Sequence, residues 1–380
     1  MKALVLGCGN IGSAAAEDLA KSLSSLEIVV ADKDENRAKK VAKKIDRTNV
    51  SWAQIDAANQ NKLASSLKGF DVVAGFLPAT LGYRLAEACI NAKTNLVDVS
   101  FMEENPLTLN NKAKKAGVTI IPDCGFAPGI SNILVGNAIR KLDRAESVHI
   151  MVGGLPEKPV PPLGYTITWS PESLIDEYTR KARIVRNGKI EEVEALSGLE
   201  QIEFPNVGKL EAFYTDGLRN LLDTIKGVEE MWEKTLRYPG HAEKISMLRA
   251  LGFFEEEQVE IEGIRLPPRK FTAKLFQQKL CKPEIGDIVA LKVEVSGVKE
   301  SKHVRRIYHL VDHCDSVHNV TAMARTTAYP ASIIAQLMLK GAIKEKGVVP
   351  PELLGMNESV FQEFLDELEN RGIRIREEIA

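Results

Sequence analysis

Gly7, Gly9 and Gly12 stand in a G-x-G-x-x-G pattern, directly behind the apolar run KALVL (2–6) and ahead of the helix-forming SAAAEDLAKSL (13–23). A turn of this kind can hold a pyrophosphate. The first glycine permits the tight turn, the second lets phosphate approach the main chain, and the third lets helix and strand pack closely. The helix start, with Asn10 and Ile11 in it, turns unpaired amides toward the anion. Alone, the pattern also describes an ordinary glycine-rich turn. Asp32 closes the next apolar run, LEIVVAD (26–32), about 20 residues on, where ribose hydroxyls require an acceptor. Together the glycines and the aspartate predict a dinucleotide site. A carboxylate there repels an extra phosphate, and Lys33 and Asp34 follow it rather than an arginine pair, so NAD is expected before NADP, with Lys33 weighing the other way. Asp56, closing a third run, can reach the adenine edge or cap a surface turn, and Pro78 in FLPAT falls where a loop beside the nicotinamide is expected.

Asp98 and Asp123 both end later apolar runs, LVDVS and IIPDC, at the edge where open α/β sheets bind ligands. Aspartates so placed more often serve turns and helix caps. Cys124 in DCGFAPG would suit a nucleophile, but no oxyanion site accompanies it, and small buried cysteines are common. His309, His313, Cys314 and His318 match no standard metal-ligand spacing, so no metal is expected.

The elements that must position these residues follow from the alternation of apolar runs and helical stretches up to about residue 125, which implies a doubly wound parallel sheet of the Rossmann type. Beyond it SVHIMVGGL, QIEFPN, LEAFYTDG, WEKTLRY, DIVALKVEVSG and RRIYHLVDHC read as strands of an antiparallel or mixed sheet with helices to one side. The tail is helical, AYPASIIAQLMLKGAI and SVFQEFLDELENRG, and is expected to return to the first domain. The expected fold is therefore α/β in residues 1–125, α+β in 126–325 and helical in 326–380. Length agrees, since 380 residues exceed what one core usually organises. Fifty basic side chains nearly cancel 52 acidic ones, so neither nucleic acid nor an anionic membrane is an expected partner. Five scattered cysteines without C-x-x-C fit a reducing compartment. With no apolar run long enough for a membrane span and no signal-peptide core, a cytoplasmic location is expected.

Longer motifs narrow the reading. LVDVS (96–100), IIPDCGFAPGISNIL (120–134), VGGLPEKPVPPLGYTITWSPESLIDEYT (152–179), LEAFYTDG (210–217), TLRYPGHAEK (235–244), TAMARTTAYPASIIAQL (321–337) and GVVPPE (347–352) resemble the saccharopine dehydrogenase family along essentially the whole chain, and TLRYPGH resembles its lysine 6-dehydrogenase branch. The resemblance implies NAD-dependent oxidation of the ε-carbon of L-lysine, with release of ammonia and a semialdehyde that cyclises. It also implies a second domain that supplies the amino-acid pocket and a homodimer interface. Alternatives within the family are enzymes that make or split saccharopine and those acting on carboxylated polyamines. A protein that binds NAD without turnover is the alternative of another class.

For such a reaction the amine must first lose its proton to a carboxylate or imidazole, and Asp98, Asp123 and His241 are the candidates. The substrate's α-carboxylate suits a planar guanidinium, for which Arg237 and Arg183 are nominated. Tyr178, Tyr214, Thr215 and Trp169 lie in resembling motifs and could line the methylene stem, although for the aromatics simple core packing is the first expectation.

Overall fold

β1 (Lys2–Leu6) is buried from Ala3 onward because strands pair with it on both sides and helices cover both faces of a parallel sheet. The computed structural model describes residues 1–22 and 25–380, which divide into two units, Met1–Arg140 with Ala324–Ile373 and Lys141–Met323 with Arg374–Ala380. In the first unit α1 (Asn10–Ser22), β2 (Glu27–Asp32), α2 (Glu35–Ile45), β3 (Val50–Gln54), α3 (Gln60–Ser66), β4 (Val72–Gly75), α4 (Ala79–Ala92), β5 (Asn95–Asp98), α5 (Asn110–Ala116), β6 (Thr119–Ile121) and α6 (Ile130–Arg140) follow β1 in order. The expected last residue of α1, Leu23, lies outside the described residues. All pairings are parallel and the strands run β6-β5-β4-β1-β2-β3, so the order reverses at β1, where β2 and β4 flank it. Local chemistry sets the helix ends. Asp34 caps α2 by accepting from the Asn36 and Arg37 amides, and Lys43 and Lys44 sit in its last turn, where the helix dipole favours cations.

The second unit holds β7 (Arg144–Pro156), α7 (Pro171–Thr179), β8 (Ala182–Arg186), β9 (Lys189–Val193), β10 (Glu200–Phe204), β11 (Gly208–Tyr214), α8 (Leu221–Thr224), β12 (Glu230–Arg237), α9 (His241–Ala250), β13 (Val259–Ile261), β14 (Ile264–Leu266), α10 (Pro268–Leu280), β15 (Asp287–Lys299) and β16 (Lys302–His313). Its main sheet runs β10-β11-β12-β7-β15-β16, with β8 and β9 attached beside β12; β12 and β7 are parallel and the other pairs antiparallel. Alternation along β12 separates two faces. Trp232, Lys234 and Leu236 go one way, and Met231, Glu233, Thr235 and Arg237 the other. On that second face Tyr178, Phe213, Ile245 and Phe276 join one apolar cluster that covers the sheet with α7, α9 and α10.

The tail contributes α11 (Ala322–Leu339), β17 (Gly347–Val348), α12 (Pro351–Met356), α13 (Glu358–Asn370) and β18 (Arg376–Ile379). From Ala324 to Ile373 it belongs to the first unit, where β17 pairs in parallel with β6. Helices α6 and α12 meet without side chains between them: a Cβ on Gly136 would fall 1.9 Å from the Glu352 carbonyl, and one on Gly355 the same distance from that of Ile133. This contact keeps α6 in the first unit, which therefore continues past residue 125 to Arg140. Arg371 in turn binds Asp18 of α1 at 2.8 Å, and Ser332 donates to the same carboxylate at 2.5 Å. β18 leaves this unit and pairs with β16. Among the described residues no helix is long and apolar enough to cross a membrane.

Candidate active site

The glycine turn is shaped by what surrounds each glycine. Gly7 has φ +104°, and a Cβ there would sit 2.4 Å from the Phe76 carbonyl; a Cβ on Gly12 would sit 1.9 Å from the Gly7 carbonyl; around Gly9 nothing lies within 4 Å. The first and third positions are thus closed by backbone, and the second faces open space, as a turn requires when phosphate must reach the main chain. Asn10 and Ile11 open α1, whose first-turn amides have no partner within the helix. Asp32 closes the cradle: Oδ2 accepts from the Cys8 amide at 2.8 Å and Oδ1 from that of Asp34 at 2.9 Å. The residues fit a dinucleotide, with the turn for the pyrophosphate and Asp32 for a ribose. The Cys8 thiol is pushed up to about 12 by burial and by Asp32, which leaves it inert. Pro78 is the residue that precedes α4, in the short loop after β4, and Asp56 forms a turn by accepting from the Ala58 amide at 2.9 Å.

A short step along the same sheet edge lies Asp98. Gly75 ends β4 beside it and Phe76, the next residue, touches Gly7. Asp98 is fully buried at the end of β5. Its Oδ1 accepts from the amide of Ser100 at 2.9 Å and from the Ser100 hydroxyl, while Oδ2 has no hydrogen-bond partner and crowds the empty side of Gly75. Burial raises this carboxyl, the two Ser100 donors hold it back and Asp123 raises it further, leaving it at about 7. Asp123 follows β6, buried and with φ +53°. Next to it the Cys124 amide donates to the Asp98 carbonyl at 2.9 Å, and burial with the two aspartates drives the Cys124 thiol far above its usual range, which removes it as a nucleophile.

In the second unit the chain brings together His241, Tyr178, Arg237 and Thr215. Glu211 holds the YPGH turn by accepting from the amides of Gly240 (2.9 Å) and Ala242 (2.6 Å), a carboxylate placed where the α9 N-terminus favours it. His241, the first residue of α9, is buried, with Nδ1 2.9 Å from the Leu163 carbonyl. A carbonyl only accepts, so Nδ1 carries the proton and Nε2 receives the Tyr178 hydroxyl at 2.8 Å. Burial and the nearby Arg237 lower this imidazole to about 3. Arg237 donates to Tyr178 (3.3 Å), the Leu236 carbonyl (2.9 Å) and Glu177 (2.8 Å), and lies over the Tyr165 ring. Burial opposes its charge, but Glu177 and the two tyrosines outweigh that and raise it. Thr215 shares a 2.9 Å hydrogen bond with Thr235, and Arg183 forks onto Asp216 at 3.0 and 3.2 Å. Both nominated arginines are therefore already bound to carboxylates of their own unit. Trp169 donates to the Tyr165 hydroxyl, and Tyr214 lies under Lys234.

Sequence reasoning passed over Glu177, Tyr165, Glu211 and Glu233, although Glu233, Thr235 and Arg237 alternate along a buried strand, and polar residues at period two in such a strand signal a functional face. Away from this face, His309 packs edge-on against Phe204, and His318 pairs with Asp315 at 2.8 Å.

Known proteins share this architecture. The family domain described as saccharopine dehydrogenase NADP binding domain matches residues 3–121, and the saccharopine dehydrogenase C-terminal domain matches residues 125–373. Alpha-aminoadipic semialdehyde synthase of Arabidopsis thaliana is 25% identical over 98% of this chain and 44% of its own length; the chain spans about half the length of several such curated relatives. Carboxyaminopropylagmatine dehydrogenase of a Synechocystis strain is 22% identical over 91% of each chain. The solved structure of apo saccharopine dehydrogenase (L-Glu forming) from Saccharomyces cerevisiae superposes with a TM-score of 0.81 at 20% identity, covering 100% of this chain and 99% of that one, and so has the same fold.

Proposed function

The chain belongs to the saccharopine dehydrogenase family, and from that premise we propose that it oxidises the ε-carbon of L-lysine with NAD, yielding ammonia and a semialdehyde that cyclises. The observation that carries this reading is Asp98, a buried carboxyl near 7 with one oxygen unpartnered, separated from the dinucleotide turn by the end of one strand. An ammonium cannot release hydride from its carbon until it has lost a proton, and a base titrating near the working pH removes that proton most effectively. Asp98 meets this demand. His241, at about 3 and with both ring nitrogens engaged, is too weak a base, and its assigned part is to fix Tyr178 in the amino-acid-binding face. Arg237 and Arg183 fix Glu177 and Asp216 there, and Tyr178 and Thr215 border the substrate stem. Asp123 keeps the Asp98 proton affinity high. Bound NAD supplies the hydride acceptor. The matching family domain is described as NADP-binding, but a carboxylate at Asp32, where ribose hydroxyls need an acceptor, would repel an extra phosphate, which supports NAD.

Purified protein given L-lysine and NAD is expected to form NADH and free ammonia together, followed by absorbance and an ammonia assay. A second reading, oxidation of a secondary amine in a carboxylated polyamine, is favoured by the near-equal length of the Synechocystis relative. NADH from such a polyamine or from saccharopine, with none from lysine at any pH, replaces the first reading with the second.

A further inference from the structure

Three carboxylates cluster on the inner face of the second unit's sheet, and they are not equivalent. Glu177 is bound by Arg237 at 2.8 Å and Asp216 by Arg183 at 3.0 and 3.2 Å. Glu233 lies close enough to both to feel their charge, yet among the described residues it forms no ion pair. It is only 4% exposed, and its Oε2 has no hydrogen-bond partner. A buried acceptor left unpaired opposes folding, and native proteins seldom keep one without a use.

The surroundings restrict what that use is. Glu233 stands opposite Ile150 of β7, an apolar neighbour that offers it nothing. Its side chain occupies the space over Gly217, where a Cβ would fall 1.5 Å from Oε1, so glycine at that position is what allows the carboxyl to lie there. The Thr215 amide donates to the Glu233 carbonyl at 3.3 Å, which fixes Thr215 and its hydroxyl partner Thr235 beside the carboxyl. The site thus combines one unmatched carboxylate with two hydroxyl oxygens that accept hydrogen bonds. Its chemical complement is a compact cation with several N–H donors, which describes a primary ammonium.

We infer that Glu233 is the anionic seat for an ammonium group of the substrate and, resting on the lysine reading above, for the α-ammonium of lysine. The ionisable groups facing Glu233 are Asp216 and Glu177, each with its arginine; burial and these two carboxylates push Glu233 up to about 8. The free protein therefore carries Glu233 protonated at neutral pH, and docking of an ammonium expels that proton.

Calorimetry in the presence of NADH tests this with L-lysine and with 6-aminohexanoate, which lacks the α-ammonium. The native enzyme is expected to bind lysine about 100-fold more tightly, as loss of one partner of a buried charge pair predicts, and the heat is expected to vary with the buffer's ionisation enthalpy. Glu233→Gln is expected to bring lysine down to the level of 6-aminohexanoate, leave 6-aminohexanoate and NADH unchanged, and reduce the buffer dependence of lysine binding to that of 6-aminohexanoate. Glu233→Asp, which keeps the charge on a shorter stem, is expected to fall between them and serves if the glutamine variant does not fold. Equal weakening of both ligands, or of neither, overturns the assignment. Turnover is scored separately: lysine that binds with the ammonium preference but forms no NADH sinks the reaction and leaves the seat standing, whereas turnover without that preference does the reverse.

Discussion

The glycine turn of the first unit and the buried polar face of β12 in the second are built by opposite means. In the turn nearly everything is main chain: Gly7 and Gly12 are held against carbonyls at distances no side chain permits, and Asp32 is the one side chain required. On β12 everything is side chain, with Glu177, Tyr178, Arg237 and His241 bound to one another under a layer of helices. A backbone site has no tolerance in the few residues that make it and is indifferent to most others. A side-chain site spreads its demands over many positions, each of which can be adjusted separately.

This contrast can be broken most directly at Gly12. Gly12→Val places branched carbons where the Gly7 carbonyl stands, so α1 and β1 must part, and NADH titration is expected to detect no binding at all. A folded variant with native NADH affinity would refute the main-chain account of the turn. Next in size comes Asp98→Asn, which keeps the shape and removes the proton acceptor. Turnover is expected to fall by about 100- to 10,000-fold with NADH affinity unchanged. In the native enzyme the deprotonated form is the working one, so the rate should rise with pH through about 7, and a profile lacking that limb would show that the base lies elsewhere.

The smallest effect sharpens the side-chain half. Glu233 and Asp98 are raised in the folded protein from the ordinary carboxyl range to about 8 and 7, so the stability they contribute is full below about pH 4, where the unfolded chain is protonated too, and is lost as pH rises from there to those values, the reverse of an ion-paired carboxylate. The melting temperature is expected to decline between about pH 4 and 8 and to level off above, and to decline less in Glu233→Gln. Parallel decline in both would mean that Glu233 is ionised without effect.

What could be read in the sequence follows the same division. A turn whose chemistry sits in contiguous residues at fixed spacing is visible in one dimension, and Gly7, Gly9, Gly12 and Asp32 all lie where their spacing puts them. The parallel sheet was equally plain, because strands buried on both faces read as unbroken apolar runs. The face of β12 was not, since Leu163, Tyr178, Glu211 and His241 are joined only by folding, and periodicity says nothing of which arginine a carboxylate will find. The β8–β9 hairpin was legible but passed over: Asn187-Gly188, both with positive φ, is the sequence signal for a tight turn between strands. Two-residue β17 carries too short a pattern to be seen at all.

That short strand has a consequence for how the protein is made. β17 covers the free rim of β6, and α12 seals the bare groove along α6, yet both are encoded some two hundred residues after the segments they protect. While the ribosome is still translating the second unit, the finished amino-terminal part exposes an unpaired strand rim and an uncovered seam of backbone, both adhesive to other nascent chains. Biosynthesis of this fold thus leaves the first unit unfinished until the segment that carries β17 and α12 has been made, and that late segment is the clasp that ends the exposure.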